Sequence, residues 1–326
     1  MFWLCESVWR RIAAREANPL LSGAMLVFVL ALVYGTAKIF VITATEHATQ
    51  KVAVVQANIT TAEKHNVQYF TKNTERYINL TRQIAEDGLL VVWPETVIQE
   101  WVSTRVGHVH SDPRLPVWSK AMHLLTGALT YDEITRNIFN SAIAVESDGD
   151  IPLPYHKQIL MPFGEYIPFV ESFPWLEQIV ITAGDFTAGR DVSVFDFTRC
   201  PDPASEIEPE NCPVTRAAPL ICYEDVIPDL ARQATLAGAQ LLVNLTNDAW
   251  FGDTAAPYQH HIIASFRAIE NRRTLLRSTN SGLTAIVDPL GRTTSYLKPF
   301  SEGVILTEVA LLSGFTLYTR YFGDLL

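Results

Sequence analysis

Residues Ala218-Pro-Leu-Ile-Cys-Tyr-Glu-Asp225 decide the fold. Ala218 to Ile221 is a short apolar strand pattern ending on Cys222, and a helical pattern with few breakers follows from Val226 to Ala239. A cysteine at a strand-to-helix turn stands where backbone N–H groups converge and the helix dipole favours an anion. Such a setting lowers a thiol pKa and supplies donors for an oxyanion. Taken singly, a cysteine at a strand end is more often a small buried hydrophobe. The rest of the chain decides between the two.

Upstream, Lys51-Val-Ala-Val-Val-Gln-Ala-Asn58 reads as a buried strand. Tyr69 to Asp87 follows as an amphipathic helix with Tyr77, Leu80 and Ile84 on its apolar face, and Gly88 stops it. Leu89 to Trp93 is a second buried strand, running into Pro94-Glu95-Thr96. A helix is expected over Pro116 to Leu125 and a strand over Phe139 to Val145, turned by Asp148-Gly149-Asp150. Tyr155-His-Lys157 and the loop Met161 to Pro168 come next. Downstream, Gln240 to Thr246 reads as a strand, Tyr258 to Leu276 as a long helix, and Thr284 to Gly291 as a strand and turn. Strands alternating with helices imply an α/β domain with a layered sheet. No repeat or linker divides residues 50–310, and residues 311–326 form a tail.

Hydrophobic residues make up 48% of the chain and charged ones 18%, the composition of a well-cored globular protein. A net charge of −10, with no basic run and no nucleic-acid motif, excludes nucleic acid as a partner class. Asn18 to Ala37 holds no charged residue, and roughly 20 apolar residues suffice to cross a bilayer. We read residues 19–43 as a transmembrane signal anchor. Arg10, Arg11 and Arg15 precede it and only Lys51 follows closely, so the positive-inside rule leaves residues 1–18 in the cytoplasm. The domain is then expected in the periplasm, held by the inner membrane. Cys200 and Cys212 flank a proline- and acid-rich insertion and are a candidate disulfide in that oxidising compartment.

Three ionisable residues stand at the ends of predicted strands or in the loops just after them: Glu95, Lys157 and Cys222. Chemistry on an amide or ester needs a nucleophile, a base for its proton, and a positive group near the developing oxyanion. Thiol, carboxylate and ammonium supply those three. His260 and His261 open a helix without a third ligand at metal-like spacing, so no metal is expected.

The flanks add specificity: Trp93-Pro-Glu95-Thr, His156-Lys157, Pro162-Phe-Gly-Glu165-Tyr, Cys222-Tyr223-Glu224, Asn247-Asp-Ala-Trp-Phe-Gly252 and Arg277-Ser-Thr-Asn-Ser-Gly282. This ordered set resembles the carbon–nitrogen hydrolase (nitrilase) superfamily, and within it the branch containing apolipoprotein N-acyltransferase. The resemblance implies a nitrilase-like α-β-β-α sandwich preceded here by one transmembrane helix, where the branch usually has a bundle of several. It implies Cys222 as the nucleophile that takes an acyl group as a thioester, Glu95 as general base, and Lys157 as the oxyanion cation, helped by the Tyr223 N–H. Glu165 matches a second glutamate of the site, and Trp250, Tyr223 and Glu224 match residues that shape the pocket. No cofactor is implied. The implied partners are a phospholipid acyl donor and a lipoprotein acceptor at the membrane. Two alternatives stand beside the transferase: an amidase or nitrilase-like hydrolase passing the same thioester to water, and a conjugal-transfer envelope protein of the same branch.

Overall fold

The computed structural model describes residues 19–169, 172, 173, 175, 184–199 and 212–321. Two compact units meet at His47 and Ala48 in the sequence. In the first, helix α1 (Pro19–Ala44) carries Lys38 as its single charge and is long and apolar enough to cross a membrane. Its side chains from Leu20 to Val41 are largely exposed. The expected cytoplasmic stretch, residues 1–18, lies outside the described residues.

In the second unit, Val52 and Val54 point to one face of strand β1 (Ala48–Gln56) and Ala53 and Val55 to the other, yet all four are buried. A strand that is apolar on both faces must be covered on both, and that requirement sets the layers. Strands β2 (Leu90–Val92), β3 (Ile98–Ser103), β4 (His123–Tyr131), β5 (Ile138–Val145) and β6 (Tyr155–His156) build the first sheet around β1. The second sheet holds β7 (Phe195–Thr198), β8 (Val214–Ile221), β9 (Leu241–Thr246), β10 (Thr274–Thr279), β11 (Ala285–Val287) and β12 (Thr293–Tyr296). A last strand, β13 (Gly303–Leu311), returns to the first sheet, giving the order β13-β1-β2-β4-β5-β6 with β3 also paired to β4. The second sheet runs β12-β11-β10-β9-β8-β7, with β8, β9 and β10 parallel.

Inner faces of the two sheets pack on each other: Val52, Val92, Leu125 and Ala144 share one core with Phe197, Ile221, Val243 and Leu276. Short helix α2 (Thr61–Lys64) leads into α3 (Phe70–Arg82), whose Tyr77 joins Val91, Trp93 and Ile143 on the outer face of the first sheet. Helices α4 (Pro228–Leu236) and α5 (Ala256–Asn271) cover the second sheet through Leu230, Ala234, Ala264 and Ala268. The result is helix, sheet, sheet, helix, the layering expected from the sequence.

Three expectations are corrected. Residues 116–122 form no helix, and Leu124 and Leu125 lie in β4, where Leu124 pairs with Val91 on one side and Val145 on the other. Two strand neighbours outweigh a local helical pattern that begins on a proline. Helix α5 ends at Asn271 instead of running to Leu276, because Arg272 takes a left-handed conformation at its end and Thr274 starts a central strand. The helix expected over Val226 to Ala239 is α4, shorter at both ends with Pro228 in its first turn, because a five-residue 3₁₀ turn, Cys222–Val226, precedes it. Strand β13, absent from the sequence reading, pairs antiparallel along all of β1, from Ala48 opposite Leu311 to Gln56 opposite Gly303. Cys212 is disulfide-bonded, while Cys200, its expected partner, lies outside the described residues.

Candidate active site

Glu95, Lys157 and Cys222 each follow the end of a strand, at β2, β6 and β8. Open α/β sheets present loops at such ends, where side chains converge without breaking a ladder. Backbone conformation there is costly. Thr96, Cys222 and Asp248 have φ of 47°, 55° and 53°, in the left-handed region that side chains with a Cβ avoid. Close approach does similar work beneath Glu95. A Cβ on Gly127 of β4 would lie 2.4 Å from the Thr96 nitrogen and 2.6 Å from the Glu95 Cα, so glycine lets that strand end pass.

Lys157 is 2% exposed, and its Nζ donates to Glu165 Oε2 at 2.7 Å with Glu95 Oε1 at 3.7 Å. Met161 N–H donates to the same Glu165 oxygen at 2.8 Å, which ties the loop Met161–Pro168 to the ammonium. Between the two carboxylates sits Asn140 of β5. Its Nδ2 donates to Glu95 Oε1 at 2.8 Å and to Glu165 Oε1 at 2.9 Å. The reversed amide would aim its oxygen at two carboxylates, so charge fixes the orientation. The Asn140 carbonyl also accepts the Lys157 N–H at 2.8 Å, so one residue sets both backbone and head group. Burial opposes the Lys157 charge, but Glu95 and Glu165 outweigh it and hold the ammonium above the usual lysine range.

Cys222 is partly buried and opens the 3₁₀ turn. Burial pushes its thiol well above the ordinary value, Glu95 adds to the rise, and Lys157 pulls back without prevailing. This overturns the expectation of a lowered thiol pKa. A five-residue turn carries little macrodipole, α4 starts only at Pro228, and the nearest carboxylate repels a thiolate. The resting thiol therefore keeps its proton, and ionising it requires a base.

Glu224 is fully buried and acts as a staple. Its Oε1 accepts from the Gln158 and Ile159 N–H groups at 2.7 and 3.2 Å, and its Oε2 from Ile221 N–H at 2.7 Å and the Tyr155 hydroxyl at 2.9 Å. Those bonds join the Cys222 turn to the segment that carries Lys157. The Tyr223 ring lies 5.7 Å from Lys157 Nζ, and its hydroxyl donates to Leu160 O at 3.0 Å. Trp250 neither packs in the core nor joins the charged cluster. It is 66% exposed and meets the His65 ring edge-on at 4.9 Å.

Two neighbours escaped the sequence reading. Asn140 is one, and its signal was the polar pair Asn140-Ser141 inside the otherwise apolar run Phe139–Val145. Lys64 is the other. A capping box between Thr60 and Glu63 starts α2 and delivers Lys64 Nζ to the Glu95 carbonyl at 2.8 Å. Burial pulls this lysine down to about 8, against the charge of Glu95.

The sequence matches the carbon–nitrogen hydrolase family over residues 51–313. It is 33% identical to an apolipoprotein N-acyltransferase of Geobacter metallireducens, across 97% of this chain and 58% of that protein. Identity to the protein of the same name from Azotobacter vinelandii is 34%, across 86% of this chain and 51% of the other. The chain thus spans a little over half the length of these curated relatives. Among solved structures, Saccharomyces cerevisiae Nit3, of branch 10 of the nitrilase superfamily, superposes with a TM-score of 0.54 at 20% identity, covering 80% of this chain and 90% of its own. A carbon–nitrogen hydrolase superfamily protein of Xanthomonas campestris, with an arsenic adduct in its active site, gives 0.54 at 17% identity over 81% and 91%. At those identities the likeness shows the sandwich fold.

Proposed function

The chain belongs to the carbon–nitrogen hydrolase family, and from that premise we propose that it is a membrane-anchored N-acyltransferase working through a Cys222 thioester. The proposed donor is a phospholipid and the proposed acceptor the N-terminal α-amine of a lipoprotein. In the first half-reaction Glu95 takes the thiol proton as the sulfur attacks the ester carbonyl. Lys157 and the Tyr223 N–H stabilise the tetrahedral oxyanion. Collapse breaks the ester C–O bond, Glu95 returns its proton to the departing alkoxide, and a thioester and a lysophospholipid result. In the second half the amine attacks the thioester, Glu95 takes the amine proton, and the thiolate leaves and is reprotonated.

The observation that carries this chemistry is the buried cluster in which Asn140 bonds both Glu95 and Glu165 and Lys157 lies at 3.7 and 2.7 Å from them, at the strand ends where Cys222 also stands. A thiol held protonated needs a partner to ionise it during attack, and we assign that role to Glu95, whose charge acts on the thiol. Transfer to an amine, rather than to water, is supported by the resemblance to the curated acyltransferases and by α1. We place the domain on the periplasmic side of the inner membrane, because the arginines precede α1 and Cys212 is disulfide-bonded, as suits an oxidising compartment.

The test incubates membranes carrying the full chain with labelled phospholipid, then adds a peptide that begins with a diacylglyceryl cysteine. Mass spectrometry should find an acyl adduct on Cys222 that moves to the peptide amine, and none in Cys222→Ala. Adduct that decays to free fatty acid with the peptide untouched would mean a hydrolase. Peptide acylation by Cys222→Ala at the wild-type rate would remove the cysteine from the mechanism.

A further inference from the structure

We propose that His260 is a positioning residue for the nucleophile: through Nε2 it holds buried Asp225, and through Asp225 the turn that carries Cys222. The proposal rests on the reading of Cys222 given above. Asp225 belongs to the same five-residue turn and is 0% exposed. Its Oδ1 meets His260 Nε2 at 2.7 Å, and its Oδ2 has no hydrogen-bond partner among the described residues, with Arg277 Nε 4.0 Å away. One imidazole therefore supplies the close polar contact of a fully buried carboxylate.

The other ring nitrogen, Nδ1, faces Asp248 Oδ1 at 3.1 Å. Nδ1 also lies 2.8 Å from Arg277 Nη2, which can only donate to it. The Nε2–H donates to Asp225 with Nδ1 accepting from Arg277, and a protonated ring keeps the same bond to Asp225. Asp225 and Asp248 bring two negative charges into a dry site, and Arg277, bound to Asp248 Oδ2 at 2.7 Å, brings one positive. Thr246 donates its hydroxyl to Asp248 Oδ1, the Phe251 ring stands edge-on at 6.4 Å, and His261, pulled down to about 4 by burial, stays neutral. Burial works against the His260 charge, but the two aspartates raise it to about 9. Helix α5 grips the turn a second time where Arg267 donates to Val226 O at 2.9 Å and pairs with Glu270. The helix is thereby a rigid back-plate for the turn, and His260 is its polar contact with Asp225.

Rate of Cys222 adduct formation from labelled phospholipid, per folded protein in the membrane, is the readout. His260→Gln should slow it by about 10²-fold, the size expected when a reacting group shifts by ~1 Å. Adding Asp225→Asn removes the buried carboxylate that His260 held and should restore the rate to within roughly tenfold of wild type, a coupling that a double-mutant cycle reads directly. A role confined to stability would lower the melting temperature of His260→Gln while leaving the rate of the folded fraction unchanged, and that result overturns the proposal. Failure of Asp225→Asn to rescue does so too. If wild type itself forms no adduct, the acyltransferase reading falls, and the positioning role is then judged by iodoacetamide alkylation of Cys222. Equal alkylation rates in wild type and His260→Gln would end it.

Discussion

Two buried lysines flank Glu95, and their surroundings drive them in opposite directions. Lys157 lies against two carboxylates, at 2.7 and 3.7 Å, and is held above the ordinary lysine range. Lys64 lies against the Glu95 carbonyl at 2.8 Å and falls to about 8. Both are buried, so burial alone does not separate them. What separates them is whether carboxylate oxygens lie within ion-pair distance of the ammonium or only a backbone carbonyl does. The Lys157 side is a cluster built to keep a cation; the Lys64 side tolerates one at a cost. A group meant to meet an oxyanion must stay charged throughout, and Lys157 satisfies that condition.

The largest effect is therefore expected from Lys157→Met. It leaves Glu95 and Glu165 buried with Asn140 between them and no cation. Breaking a buried pair in this way costs about 3–5 kcal/mol of stability. Adduct formation on Cys222 should fall by at least ~10²–10³-fold with the oxyanion donor gone. Thermal melts and adduct kinetics read the two losses separately. A Lys157→Met protein as stable as wild type would break the contrast.

A smaller effect is expected from Asn140→Leu, which keeps the volume and removes two hydrogen bonds to carboxylates. Bonds to charged groups are worth about 1.5–3 kcal/mol each, and loss near 3 kcal/mol in all is expected because Lys157 still bonds Glu165 and lies near Glu95. The second consequence is geometric. With Asn140 gone Glu95 is free to swing toward Lys157, and adduct formation should slow by about tenfold or more. Stability loss without slower adduct formation would show that Asn140 holds the strand and not the carboxylate.

How much of this was legible in the sequence depends on the range of the interaction. The strand over Val52 to Gln56 and the layered fold could be read because buried strands advertise themselves as continuous apolar runs. Glu95, Lys157, Glu165 and Cys222 could be read because their flanks are distinctive. Leu124, Leu275 and the whole of Gly303–Leu311 were misread or missed because strand pairing decides them, and the partner strands are distant in sequence. Arg272 ends α5 in a left-handed conformation without a glycine to announce it. The Cys222 thiol lies above its ordinary value, against what a strand-to-helix turn implies locally, because burial and the charge of distant Glu95 oppose ionisation. Asn140 and Lys64 act on Glu95 from 45 and 31 positions away, a relation that no local pattern encodes.

Lys64 gives the smallest effect and the sharpest test, since its sign is opposite. Its folded value, about 8, lies below the 10.5 of the free side chain. Below pH 8 both folded and unfolded chains carry the charge, and the folded one bears the full cost of burying it. Between pH 8 and 10.5 the unfolded chain holds more protons, so this group's contribution to stability rises with pH, by about 3 kcal/mol across the window. Lys64→Met removes both the cost and the slope, at the loss of one hydrogen bond to the Glu95 carbonyl, about 1 kcal/mol. At pH 7 the variant should match or exceed wild type in denaturant melts, and wild type should gain on it steadily from pH 8 upward. Taking the difference between the two proteins cancels His260, whose contribution runs the other way and is lost as pH rises through about 9. A Lys64→Met protein several kcal/mol weaker at pH 7, with no change in the difference up to pH 10.5, would mean that Lys64 is anchored by charge as Lys157 is.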